Sequence, residues 1–223
     1  MQTILITGSS DGLGKALAEK LASENKVILL ARNEAALHEI AKQTGCAYYL
    51  CDVRDAKQVA ETFAKIREEH GSIDVLVNNA GVIVNGELVD TPDKDIENVI
   101  ATNTLGSIYV AKAALSQMKR QQSGLVINVV SQSGLNAKAG RSIYNASKWA
   151  LTGFTKALQE EAAAYGVRVT GFYPGTIKTD LFAKAGLEMN GPAITTEQAV
   201  KTLEFIISSD EDVVIPELGV KHV

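Results

Sequence analysis

Short apolar runs separated by longer stretches of helical spacing restrict this chain to very few architectures. The runs are Thr3–Thr7, Val27–Ala31, Ala47–Leu50, Ile73–Asn78, Leu125–Val130, Val167–Phe172 and a short Val213–Ile215. Several are almost wholly apolar rather than alternating, which suits strands of a parallel sheet covered on both faces. Helical patterns occupy Gly12–Ser23, Glu34–Thr44, Asp55–His70, Asp93–Asn103, Leu105–Gln122 and Tyr144–Tyr165. Thr91 and Pro92 ahead of Asp93 and Asp95 read as a cap, a first-turn proline and first-turn acids. Thr195 and Gln198 have capping-box spacing. Strands alternating with helices imply right-handed βαβ units in an open α/β fold, a doubly wound parallel sheet with helices on both faces. Six main strands are expected, with a weak seventh that Pro216 confines to the C-terminal edge. Ligands of such sheets bind beyond the carboxyl ends of the strands, so the chemistry should follow each apolar run.

The 223 residues contain no Pro/Ser-rich linker and no low-complexity segment, so one domain over 1–223 is expected. With 22 basic and 26 acidic residues the net charge is −4, which argues against a nucleic acid or an anionic membrane held by bulk charge. No run approaches the roughly 18 apolar residues of a transmembrane helix. The start lacks a basic segment and meets Gly8 too early for a signal peptide. Cys46 and Cys51 form no metal spacing and are too few for a disulfide framework. A cytoplasmic protein without a metal is the expectation. His38, His70 and His222 read as surface or capping residues, and Trp149 as packing.

Four groups of residues carry chemistry. Thr7-Gly8-Ser9-Ser10-Asp11-Gly12-Leu13-Gly14 joins the first run to a helix. Its glycines allow a tight turn and close approach of a pyrophosphate to the helix N-terminus, although a purely structural turn has the same composition. Asp52 follows the third run and is either an acceptor for an adenine amino group or a surface carboxylate. Asn78-Asn79-Ala80-Gly81 ends the fourth run, where Asn and Gly are also ordinary turn residues. Ser131 ends the fifth, and Tyr144 follows thirteen residues later with Lys148 four positions on. Tyr and Lys at that spacing share a helix face, so the ammonium should lower the phenol's pKa and make it a usable acid/base. Ser131 would polarise a substrate oxygen. Alternatively the pair lies on a solvated face.

In this order, with Asn103 and Pro174-Gly175, these segments strongly resemble the short-chain dehydrogenase/reductase family over about four-fifths of the chain. The resemblance implies a Rossmann-type sheet and a catalytic set of Asn103, Ser131, Tyr144 and Lys148. Asn103 would hold a water linking Lys148 to solvent, and Lys148 would bond the nicotinamide ribose. Implied dinucleotide contacts are Gly8, Ser10, Asp11, Gly12, Leu13, Gly14, Arg32, Asn33, Asp52, Val53, Asn78, Asn79, Ala80, Gly81, Tyr144, Lys148, Pro174 and Gly175. Ile177 backbone and the Thr179 hydroxyl would meet the carboxamide.

The second run ends Leu29-Leu30-Ala31-Arg32-Asn33, without the acid that binds a ribose 2′-hydroxyl in NAD-specific folds. Arg32 can clamp a 2′-phosphate, so NADP(H) is expected over NAD(H). Asp11 in the glycine turn speaks the other way unless it caps the helix. The expected activity is reduction of a small or medium uncharged carbonyl compound, or the reverse oxidation. The pocket would be formed by Gln132–Arg141 and by the 180–192 loop with Leu181, Phe182, Leu187 and Met189. A dinucleotide-binding redox sensor and an epimerase- or dehydratase-like enzyme are the other readings. The family's assembly through its two long helices implies a homodimer, with a tetramer as the alternative.

Overall fold

The computed structural model describes residues 1–186, 188, 189 and 191–223. Seven strands form one sheet: β1 (Thr3–Thr7), β2 (Lys26–Ala31), β3 (Ala47–Leu50), β4 (Val75–Asn78), β5 (Gly124–Val129), β6 (Val167–Pro174) and β7 (Glu217–Val220). Their order is β3-β2-β1-β4-β5-β6-β7 and every neighbouring pair is parallel. The helices are α1 (Gly12–Leu21), α2 (Glu34–Thr44), α3 (Ala56–His70), α4 (Asp93–Ile100), α5 (Ser107–Gln121), α6 (Ser142–Ala163), the single turn α7 (Leu181–Lys184) and α8 (Thr196–Ile207). The chain winds outward from β1 to β3 and then returns to β4 on the other side of β1. The switch point therefore lies between β1 and β4.

Period-2 alternation divides the core between the two faces of the sheet. Ile4 and Ile6 of β1 pack with Leu17 of α1, Leu37 of α2 and Leu203 of α8. Leu5, between them, packs on the other side with Phe63 of α3, Val110 of α5 and Leu158 of α6. The five central strands, β1, β2, β4, β5 and β6, are buried along most of their length, which is why their sequences read as continuous apolar runs, whereas β3 lies at an edge and is only half-buried.

Four expectations need correction. The last strand lies at Glu217–Val220, not Val213–Ile215. Val213 N–H bonds to Asp210 O (3.0 Å) and Val213 O accepts from the Arg168 guanidinium (3.1 Å), so neither group is left for a strand. Pairing with β6 begins at Pro216, whose carbonyl accepts from Gly171 N–H (2.9 Å) although it has no N–H to give. β7 is indeed an edge strand. Second, the two helices expected around Asn103 are continuous: a π-helical segment, Ala101–Gly106, joins α4 to α5. Third, Pro92 rather than Thr91 is the N-cap of α4, and the Thr91 hydroxyl donates back to Glu87 O (2.9 Å). Fourth, Trp149 is half exposed on α6 rather than packed inside. The capping box of Thr195 and Gln198 is present on α8. Among the described residues no helix is long and apolar enough to cross a membrane.

Candidate active site

A cleft of about 950 Å³ opens at the carboxyl ends of the strands, and the loops after β1, β4, β5 and β6 wall it. The loop after β1 is fixed by side chains from its neighbours. Thr7 Oγ1 accepts from the N–H groups of Asn79 (2.9 Å) and Ala80 (3.0 Å), and Asn79 Nδ2 donates to Thr7 O (2.9 Å). Ser9, buried beneath the turn, accepts from Leu30 N–H (2.9 Å). Gly8 has φ +64°, and a Cβ at Gly14 would stand 2.4 Å from Gly8 O and 2.6 Å from Asn79 Nδ2. Only glycine fits either place. The first intrahelical bond of α1 runs from Lys15 N–H to Asp11 O (3.1 Å), so the N–H groups of Gly12, Leu13 and Gly14 precede it without a helical acceptor. Gly12 and Leu13 face the cleft. This bare backbone at the positive end of a helix fits a pyrophosphate.

The loop after β5 holds Ser131 at φ 142°, ψ 159°, a region nearly restricted to glycine. Such a conformation costs about 1–3 kcal/mol and is found mostly at functional sites. Ser131 Oγ accepts from Ser133 N–H (3.1 Å). One turn apart on α6, Tyr144 and Lys148 are both buried, with the Lys148 ammonium 5.8 Å from the Tyr144 ring centroid. Lys148 Nζ donates to Val129 O (3.0 Å) and faces the cleft with its other donors. Burial pushes the Lys148 pKa down to about 8. Burial also pushes the Tyr144 pKa up, against the opposing pull of the Ser131 hydroxyl and the Arg141 charge. The lowering expected of Lys148 is not among these pulls, and burial sets the direction.

Asn103 sits in the π-helical segment, fully buried. Its Oδ1 accepts from Val82 N–H (2.8 Å), and its Nδ2 donates to Val82 O (2.9 Å) and Ser147 Oγ (3.0 Å). The side chain braces the loop after β4 against α6, beside Lys148, and is not on the cleft wall. Inserted π turns of this kind concentrate at functional sites.

The structure brings Gly8, Ser10, Asp11, Gly12, Leu13, Arg32, Val53, Asn79, Ala80, Gly81, Ser131, Tyr144, Lys148, Pro174, Gly175, Ile177 and Thr179 together as the lining of one cleft. Gly14, Asn33, Asp52, Asn78 and Asn103 stand behind it or beside it. Asn78 is buried and donates to Ser107 O (2.8 Å), and Asn33 caps α2 by accepting from Ala36 N–H (3.2 Å). The Asp52 carboxylate takes both Arg54 Nε (2.9 and 3.0 Å) and Nη2 (2.5 Å), with Arg32 Nη1 at 3.8 Å. The Arg54 hydrogen bonds hold its pKa below the usual carboxylate range, and it is committed to arginine rather than open for a base. After β6, Ile177 forms a parallel bridge to Ile194 through Thr176 O and Lys178 N, so its own N–H and C=O take no part in the bridge.

Asp11 occupies the N-cap position of α1, but its side chain makes no cap bond. It pairs instead with Lys184 of α7, tying the glycine turn to the 180–192 loop. In that loop Phe182 is buried against Tyr144 and Ile83, with Leu181 and Met189 alongside. Leu187 lies outside the described residues. Two contributors went unnoticed in the sequence: Lys184, for which there was no local signal, and Arg141 as a charge rather than a loop position. A cation at a helix N-terminus was the available clue to the second. Among the described residues no group of three His, Cys, Asp or Glu could hold a metal ion.

A family model described as short chain dehydrogenase matches residues 2–190. Carbonyl reductase family member 4 of Xenopus laevis is 38% identical over 181 residues, covering 79% of this chain and 75% of that protein. An alcohol dehydrogenase of the archaeon Thermococcus sibiricus, solved with 5-hydroxy-NADP, is similar at a TM-score of 0.89 and 26% identity over 99% of this chain and 96% of the other. The closed form of a serine dehydrogenase complexed with NADP+ reaches 0.92 at 27% identity, over 98% and 94% of the two chains.

Proposed function

The chain belongs to the short-chain dehydrogenase family, and from that premise we propose that it is an NADP(H)-dependent oxidoreductase that interconverts a carbonyl compound and its alcohol. The observation that carries the reading is the meeting, in one cleft, of a strained serine, a buried tyrosine and a buried lysine with a glycine-rich helix start. The whole of 1–223 acts as one binding and catalytic domain.

The dinucleotide would supply the hydride. The N–H groups of Gly12 and Leu13 would hold its pyrophosphate, Arg32 a 2′-phosphate, and Ile177 backbone and Thr179 the carboxamide. NADP-bound relatives of the same fold support the coenzyme class. The carbonyl oxygen sits between Ser131 and Tyr144. Ser131 Oγ donates to it and Tyr144 delivers the proton that completes the alcohol. Burial keeps Tyr144 protonated, which is the state a donor needs. Lys148, with a pKa of about 8, remains mostly charged at neutral pH and stabilises the tyrosinate left behind. Asn103 acts as a positioning residue, fixing Ser147 and so the turn of α6 that bears Tyr144 and Lys148. The apolar surface of Ile83, Phe182 and Met189 beside Tyr144 fits the body of a small or medium carbonyl compound.

The test is oxidation of NADPH with a panel of aldehydes, ketones, diketones, quinones and acyl thioesters. Substrate-dependent loss of absorbance for at least one class is expected. NADPH binding with no turnover across the panel would instead favour a sensor.

A further inference from the structure

Arg141 is placed where the resting protein gains little from it. It is the N-cap of α6, three residues before Tyr144, and the first turn of that helix carries no acid. A cation at the positive end of a helix is unfavourable. Among the described residues no carboxylate pairs with the guanidinium, and only the backbone N–H of Arg141 donates a hydrogen bond, to Lys138 O (3.3 Å). Asp95 also borders the cleft, from α4, but does not pair with it.

The guanidinium instead lies over the Phe182 ring, 5.5 Å from its centroid. Phe182 packs on Tyr144, and Arg141 itself lines the cleft beside Ser133, Asn136 and Lys138. The anionic parts of a dinucleotide would fall to the glycine turn after β1 and to Arg32 after β2. Arg141 lines the cleft from the segment between β5 and α6, which also carries Ser131 and leads into Tyr144. With no side-chain hydrogen bond or ion pair among the described residues, the donors of this guanidinium remain open to a bidentate acceptor.

We propose that Arg141 determines specificity by binding an anionic group, a carboxylate or a phosphate, on the substrate whose carbonyl oxygen lies between Ser131 and Tyr144. This deepens the oxidoreductase reading and rests on it. It also revises the expectation of a wholly uncharged substrate, because Arg141 adds a charge to an otherwise apolar lining beside Tyr144. The substrate then has an apolar stretch against Phe182 and Ile83 and a charged end at Arg141.

The experiment compares wild type, Arg141→Gln and Arg141→Lys in NADPH oxidation on matched pairs. One pair is 3-oxobutanoate and its methyl ester, and the other is dihydroxyacetone phosphate and dihydroxyacetone. The first isolates a carboxylate, the second a phosphate. Wild type should favour the charged member of one pair by about tenfold or more in kcat/KM, mainly through KM, as one charge-assisted pair supplies. Arg141→Gln should abolish that preference, the charged member losing about tenfold more than the neutral one, and Arg141→Lys should restore part of it. Equal loss on both members would show that Arg141 only holds Phe182 in place and would overturn the proposal. Turnover of neutral members by wild type with no preference for either anion overturns it alone. Failure of the whole carbonyl panel overturns the reading beneath it.

Discussion

Replacing Lys148 with methionine should stabilise the protein while destroying its activity. Lys148 is 5% exposed and keeps a single hydrogen bond, to Val129 O at 3.0 Å. Burial lowers its pKa from the ordinary 10.5 to about 8. Holding the charge in the folded state at pH 7 therefore costs about 3 kcal/mol, at roughly 1.4 kcal/mol per pH unit. The folded state binds fewer protons than the unfolded one between about pH 8 and 10.5, so the wild type gains stability as pH rises through that window. At pH 10 the residual cost is below about 1 kcal/mol. Methionine fills a similar volume and removes the charge, and loss of the one hydrogen bond offsets about 1 kcal/mol. The variant should thus be about 2 kcal/mol more stable than wild type at pH 7, and the advantage should vanish near pH 10. Denaturant unfolding without added coenzyme at the two pH values measures this, and at pH 7 the melting temperature should rise by roughly 4–8 °C. A variant less stable at pH 7, or a difference independent of pH, would refute the claim that the buried ammonium is held at a cost.

Three further outcomes follow from the site. Arg32→Ala should weaken NADPH binding about tenfold and leave NADH almost unchanged, a modest effect because Arg32 is half exposed and lies 3.8 Å from Asp52; calorimetric titration with both coenzymes measures it, and equal losses contradict it. Ser131→Gly should relieve the backbone at φ 142° and raise stability by about 1 kcal/mol while removing the hydroxyl's contribution to turnover. The half-exposed Trp149 and Leu105, on α6 and the π-helical segment, support the expected homodimer, so light scattering at micromolar concentration should give twice the 23.8 kDa chain mass, and a monomer would refute it.

Much of the sheet was readable because its determinants are local. Glu34–Thr44 is helical between the bounds expected, since Asn33 caps one end and Gly45, at φ +74°, closes the other. The central strands announced themselves as apolar runs because both faces are covered. β7 was misplaced because its start is decided by Arg168, which reaches 45 residues along the chain to Val213 O. The break expected at Asn103 is a π-helical insertion, which leaves no periodicity signal over six residues. Ser131, Tyr144 and Lys148 were legible from their order, but the direction of the tyrosine's pKa was not, because it depends on burial that spacing does not encode. Neither was the ion pair of Asp11 with Lys184, 173 residues apart.

The central claim is that Tyr144 passes a proton to a carbonyl oxygen in this cleft, and Tyr144→Phe tests it most directly. The substitution keeps the ring that packs on Phe182 and Ile83 and removes only the hydroxyl. With the best substrate found for wild type, kcat for NADPH oxidation should fall by about a hundredfold or more, the scale of a lost general acid, while the dissociation constant for NADPH changes by less than about threefold. A Tyr144→Phe protein that reduces the same substrate at near wild-type rate would contradict the account.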